Sequence, residues 1–174
     1  MATVISIVNS KGGVGKSTST VNLATNLAEK RKRVLVVDMD PQADTTSMLG
    51  ITKERAGEGN IGHALVDSEC FQQVLISSEY IKKDGRKSRK RVIDVCSSHS
   101  QLRNVYLSMI SALNRERKLE ECLDAVKDDY DYIIIDCPPD LGIGTTNALS
   151  ASDYFILVVD CDPLSMKNLM DITE

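Results

Sequence analysis

The sequence predicts an α/β fold, a mostly parallel sheet flanked by helices. Three observations predict it. Apolar runs of strand length alternate with amphipathic stretches along the whole chain, which is the pattern of repeated β-α-β units. Two of those runs, VLVVD from Val34 and YIIID from Tyr132, are continuously apolar up to a closing aspartate, as expected of strands covered on both faces. The first run leads through a glycine-rich turn straight into a helical stretch. At 174 residues the chain is about the size of one domain, so residues 1–174 are read as one.

The elements follow in order. A strand from Thr3 to Val8 is followed by the glycine loop and a helix from about Lys16 to Glu29, with Val21, Leu23, Ala24, Leu27 and Ala28 turned inward. The basic turn Lys30 to Arg33 ends that helix, and the second strand is Val34 to Asp38. Gly57 to Gly62 reads as a loop, with short helices at Ile61 to Val66 and Cys70 to Ile76. A strand near Val92 to Cys96 precedes two helices, about Gln101 to Leu113 and Arg115 to Val126. Tyr132 to Asp136 is a strand that stops at the breaker Pro138-Pro139; Thr145 to Ala151 looks helical and Tyr154 to Val159 reads as a further covered strand. A last helix starts after Pro163, which makes about five parallel strands in all.

Composition narrows the class. With 42% hydrophobic and 26% charged residues, and no apolar run near the roughly 20 residues of a membrane span, the chain is expected to be soluble. The N-terminus has no basic region ahead of its apolar run, so it reads as a strand rather than a signal peptide, and a cytoplasmic location is expected. Five widely spaced cysteines without a C-x-x-C pair signal neither a disulfide framework nor a zinc site. The net charge of −4 is uneven: Lys82 to Arg91 holds seven cations and one acid, a local +6, against −10 for the remainder.

Asn9 to Thr18, NSKGGVGKST, nearly fits the phosphate-loop pattern G-x-x-x-x-G-K-[ST], with Ser10 where the first glycine belongs and an additional lysine, Lys11, inside the loop. Glycines 12, 13 and 15 let the backbone curl so that N–H groups of the segment Lys11, Gly12, Gly13, Val14, Gly15, Lys16, Ser17 and Thr18 face phosphate oxygens, with the positive end of the following helix adding to them. Lys16 would contact the outer phosphates and the Ser17 hydroxyl would ligate Mg²⁺. Magnesium also needs a carboxylate from a strand end, and Asp136, closing YIIID, is in that position. Asp38 and Asp40 close the second strand on one side of it if the strand persists, and one of them could orient a water in line with the terminal phosphate.

These motifs, with VLVVDMDPQAD at Val34 to Asp44 and YDYIIIDCPPDLG and NALSASD between Tyr130 and Asp153, resemble the ParA/MinD family of ATPases with a deviant phosphate loop, and within it the ParA branch that segregates plasmids and chromosomes. The resemblance spans nearly the whole chain. It implies a phosphate-loop NTPase fold of the SIMIBI type with further C-terminal strands beyond this sequence, and ATP with Mg²⁺ as ligands. It implies that Lys11 reaches across an ATP-dependent homodimer to the phosphates held by the partner, as an arginine finger does. It also implies that Asp40 positions the attacking water, that Asp136 holds magnesium through water, and that Pro138-Pro139-Asp140-Leu141-Gly142 senses the terminal phosphate, although Asp140 stands where the family often has serine. The partners implied are non-specific DNA and a centromere-binding, ParB-like protein that stimulates hydrolysis.

The basic segment Lys82 to Arg91 could contact DNA phosphates, or it could be a solvated hairpin or loop. Other functions compete. A MinD-like positioning ATPase would need a basic amphipathic C-terminal helix, and the closing PLSMKNLMDITE carries one lysine and three acids. A bacterial tyrosine kinase would need a tyrosine-rich tail, whereas the five tyrosines are dispersed. A truncated nucleotide-binding module without turnover is the remaining rival.

Overall fold

The structure, a computed structural model, describes residues 1–84 and 87–160; the helix expected after Pro163 lies outside them. Strand β1 (Thr3–Val8), helix α1 (Lys16–Glu29) and strand β2 (Val34–Asp38) have the expected bounds. After them come α2 (Asp44–Met48), α3 (Lys53–Glu58), α4 (Ile61–Val66) and a 3-10 segment (Ser68–Val74). Then follow β3 (Leu75–Asp84), β4 (Lys87–Cys96), α5 (Leu102–Met109), a short 3-10 turn (Arg115–Arg117), α6 (Lys118–Asp124), β5 (Tyr132–Asp136), α7 (Ile143–Ser150) and β6 (Tyr154–Leu157).

The strand order among the described residues is β3-β4-β2-β5-β1-β6. Every pair is parallel except β3–β4, which is an antiparallel hairpin. The alternating side chains of the central strands feed two apolar layers. Val4, Val8, Leu35, Val37, Ile133 and Ile135 pack with Phe71 and residues of α4, α5, α6 and α7 on one face. Ile7, Val34, Val36 and Ile134 pack with Ala24 and Ala28 of α1 and with Leu49, Ile51 and Ala56 on the other. The central runs are continuously apolar because both faces are covered.

The structure corrects four expectations. The helix expected at Cys70 to Ile76 is a 3-10 segment that gives way to β3, because Ile76 and Tyr80, two and six residues past Val74 on one face of the strand, pack against the second apolar layer while the backbone pairs with β4. The strand near Val92 begins at Lys87 for the same reason: the hairpin pairs Leu75–Asp84 with Lys87–Cys96, and only Asp94 to Cys96 also pair with β2. Among the described residues the sheet therefore has the five parallel strands expected, β1, β2, β4, β5 and β6, with β3 added as an antiparallel sixth. The two helices before β5 are shorter than expected, interrupted where Asn114 takes a left-handed backbone conformation (φ 53°). Finally, among the described residues β6 is an exposed edge and not a covered strand: there it pairs with β1 alone, and Tyr154, Phe155 and Ile156 are 66%, 50% and 43% exposed.

Candidate functional site

The sheet order brings the carboxyl ends of β2, β5 and β1 side by side, and parallel α/β sheets bind ligands outside those ends. Register aligns Asp136 with Asp38 on one neighbour and with Ile7 on the other. Three motifs far apart in sequence thus meet at one place: the loop after β1, the turn after β2 and the loop after β5.

The loop after β1 is an open cradle. Gly13 and Gly15 have φ of 77° and 95°, the left-handed region that only glycine enters cheaply, and a Cβ on Gly12, Gly13 or Gly15 would meet no atom within 4 Å. Gly15 is also the N-cap of α1, with no side chain capping the first turn, so the helix N-terminal N–H groups are left to a ligand. Asn9, buried at the end of β1, braces the loop by accepting a hydrogen bond from the Lys11 N–H (2.7 Å) and donating its amide to the Val158 carbonyl (2.7 Å). Lys16 is buried, 7% exposed, with its Nζ on the Lys11 carbonyl at 3.2 Å. The Lys11 ammonium forms a 2.8 Å ion pair with Asp160 of the same chain, just past β6. Val14 and Gly15 are partly covered, whereas Thr18 faces outward on the first turn of α1.

Of the carboxylates, Asp136 is buried and takes hydrogen bonds from the hydroxyls of Thr45 (2.6 Å) and Thr20 (3.3 Å). Burial raises its pKa, opposed by the hydrogen bonds of Thr45 and Ser17. The Ser17 hydroxyl and the Asp136 carboxylate are therefore neighbours, as a hard-cation site with one hydroxyl and one carboxylate requires. The donor set and the open glycine cradle fit a magnesium-bound phosphate.

Asp38 and Asp40 separate in role. Asp38 is fully buried and saturated by the Thr46 N–H (2.8 Å), the Thr46 hydroxyl (2.7 Å) and the Asp40 N–H (3.0 Å); burial and the nearby Asp136 push its pKa up to about 8. Asp40, 9% exposed, borders a cleft of about 590 Å³ that also touches Gln42, Pro139 and Asp140. Burial raises its pKa, and the Lys16 charge holds it down. Of the two, Asp40 alone borders open space. Asp140 accepts the Gly142 N–H (2.8 Å) through its side chain, so the acid closes its own loop into a turn, while its charge adds to the upward shift of Asp40.

Residues that the sequence did not single out complete the arrangement. Thr45 and Thr46 follow the acidic turn at Asp44, a spacing that could have suggested a role. Tyr106, whose hydroxyl donates to the Met39 carbonyl at 2.6 Å, and Asp160 carry no local signal, because their partners are 67 and 149 residues away. Of the basic run, Lys82–Asp84 lie on β3 and Lys87–Arg91 on β4; Ser88, Arg89 and Lys90 are exposed, and Lys90 pairs with Glu79 across the hairpin at 2.6 Å. No helix among the described residues is long and apolar enough to cross a membrane.

Comparison with known proteins gives the family. A family model described as an AAA domain matches residues 2–174. The chain is 38% identical over 172 residues to the sporulation initiation inhibitor protein Soj of Bacillus subtilis and 37% identical over 171 residues to the chromosome partitioning protein ParA of Myxococcus xanthus. These alignments cover 99% and 98% of this chain but only 64% and 56% of those relatives, so the chain spans a little over half their length. Among solved structures, a putative plasmid partition protein of Borrelia burgdorferi bound to AMPPNP superposes with a TM-score of 0.80 at 31% identity, covering 99% of this chain and 68% of that one. A cobyrinic acid a,c-diamide synthase of Mycobacterium smegmatis with bound ATP analog and magnesium gives 0.84 at 26% identity, covering 99% and 69%. Matched along nearly its whole length, the chain belongs to the family of ParA-type partitioning ATPases.

Proposed function

We propose that this chain is the nucleotide-binding part of a magnesium-dependent, ATP-hydrolysing partition protein, with residues 1–174 acting as one domain. The observation that carries the proposal is the meeting of Lys16, Asp40 and the Ser17–Asp136 pair around an open glycine cradle at three adjacent strand ends. Magnesium, when bound, neutralises phosphate charge and orients the terminal phosphoryl group. The N–H groups of Gly12 to Thr18 bind the phosphates, and Lys16 turns its ammonium from the Lys11 carbonyl to the outer ones. Ser17 and Asp136 would hold the metal. Asp40 orients a water toward the terminal phosphate and holds its proton, a role to which a partly buried carboxylate with a raised pKa is suited.

Lys11 supplies the cation that crosses to a second subunit, so ATP and dimerisation are coupled: two like-charged loops approach only with phosphates between them. ATP-dependent, sequence-independent DNA binding and stimulation by a ParB-like, centromere-binding protein complete the reading, with action in the cytoplasm at the nucleoid. The kinship to partition proteins supports these last points.

The test is phosphate release beside nucleotide titration. Lys16→Ala is expected to lose turnover by about a hundredfold or more and to weaken nucleotide binding. Asp40→Ala is expected to lose about a hundredfold in kcat with binding retained. Full turnover in either variant defeats the assignment, and tight binding without any turnover in the wild type would make the chain a nucleotide-binding module instead. Size-exclusion elution with and without ATP and Mg²⁺ tests the coupling: a nucleotide-dependent dimer is expected for the wild type and lost in Lys11→Ala.

A further inference from the structure

We infer that Tyr106 is a positioning residue for the hydrolytic step, setting the place of Asp40 through the Met39 carbonyl. The inference rests on the ATPase reading above, in which Asp40 orients the water.

The peptide unit joining Met39 to Asp40 is held at both ends by side chains outside the turn it belongs to or by its own neighbour. Its carbonyl oxygen accepts the Tyr106 hydroxyl at 2.6 Å, and its N–H donates to the Asp38 carboxylate at 3.0 Å. One residue earlier, the Met39 N–H donates to the Asp136 carbonyl of β5 at 2.9 Å. A peptide plane fixed at both its polar groups determines where the next Cα and its side chain start. Asp40 then has little left to settle beyond its own rotamer, and its carboxylate is steadied by the Gln42 N–H at 2.9 Å. Of the three anchors, the carboxylate and the strand carbonyl belong to the motifs already assigned. Tyr106 is the one that comes from elsewhere, from α5.

The tyrosine reaches Met39 only because α7 makes room for it. A Cβ on Gly144 would stand 2.7 Å from both Cζ and Oη of Tyr106, closer than any real contact. Gly144 lies two residues after the Pro138–Gly142 loop, so the ring is wedged between the element that follows that loop and the turn that carries Asp40. Met39 is itself fully buried, and a buried carbonyl deprived of its donor pays the full desolvation penalty unless the turn shifts to find another. Burial raises the Tyr106 pKa well above its ordinary value, so the hydroxyl stays a donor across the working pH range. The arrangement links α5, α7 and the acidic turn through one hydroxyl, and a displacement of the loop after β5 would be felt at Asp40 through the ring.

The experiment compares Tyr106→Phe, Gly144→Ala and the double variant in steady-state hydrolysis, nucleotide titration and amide hydrogen exchange at Met39 to Gln42. Tyr106→Phe keeps the ring and removes one hydrogen bond, so kcat is expected to fall by about three- to tenfold while KM and the nucleotide Kd stay within about twofold. Exchange at the Asp40 and Gln42 amides should rise in the same variant. Gly144→Ala should give the same split by pushing the ring away, and the double variant should be no worse than the poorer single one, because both break one bond. Unchanged kcat and exchange in Tyr106→Phe, a parallel loss of kcat and nucleotide affinity, or additive losses in the double variant would each overturn the inference. Asp40→Ala run alongside separates the two readings: full turnover there overturns the ATPase assignment, whereas the exchange measurement needs no turnover and decides on Tyr106 by itself.

Discussion

Asp38 and Asp40 stand two positions apart at the end of one strand, and their surroundings give them opposite uses. Asp38 is sealed under Thr46 and accepts three hydrogen bonds from Thr46 and Asp40; Asp40 keeps a free edge on the cleft. A carboxyl whose folded pKa is raised from 3.8 to about 8 binds a proton in the native state that the unfolded chain gives up. Its stabilising contribution is therefore full below about pH 4 and is lost as pH rises toward 8. Asp38→Asn, which cannot ionise, is expected to melt a few degrees above the wild type at pH 8 and to lose that advantage, or fall below it, at pH 5. A melting difference independent of pH would show that Asp38 is not protonated in the folded protein. Lys11 yields a second prediction at this scale. Its ion pair with Asp160 is partly exposed, so breaking it changes little in stability, about 1 kcal/mol or less. Released from that pair in Asp160→Ala, the lysine should favour the nucleotide-loaded dimer by up to about fivefold in its association constant, read by analytical ultracentrifugation with ATP and Mg²⁺. The motif residues themselves were legible in the sequence because each motif is a run of neighbours; the partners Tyr106 and Asp160 were not, because no local pattern encodes a contact made by a distant element.

At the scale of elements, the hairpin is the clearest lesson. Its first strand was hidden because Cys70 to Ile76 reads equally well as a short helix, and apolar runs of that length do not decide between the two periods. Pairing with β4 decided it. The hairpin runs beyond the reach of β2, which pairs only with its last three residues, and it leaves Arg89 and Lys90 exposed on the stretch of β4 whose β2-side edge is open among the described residues. Cations on such an edge block pairing with other chains whatever else they do. If they also meet DNA phosphates, replacing Arg89, Lys90 and Arg91 by alanine should reduce the slope of log affinity against log salt by about two to three units, and an unchanged slope would leave them the edge-protecting role alone. The edge strand β6 was misjudged for a related reason: its apolar sequence matches that of a covered strand, and only the sheet order shows that one side has no neighbouring strand among the described residues.

At the scale of the molecule, one mostly parallel sheet between two apolar layers holds the three motifs in register. Ile133, fully buried at the centre of one layer, is a residue on which that arrangement depends. Ile133→Ala is expected to cost about 2–5 kcal/mol in urea unfolding, with nucleotide affinity unchanged in the fraction that remains folded. A loss below about 1 kcal/mol would mean that the layer closes over the gap. The sequence by itself determined the phosphate loop, the two acidic strand ends and the three strands that carry them, because hydrophobic period and glycine placement act over a few neighbouring residues. The tertiary structure alone decided the order of the strands, which of the two acids Asp38 and Asp40 keeps an open edge, and the reach of Tyr106 to a carbonyl 67 residues away. Those outcomes depend on burial and on contacts between separate elements, and both come into being only when the layers close on the sheet.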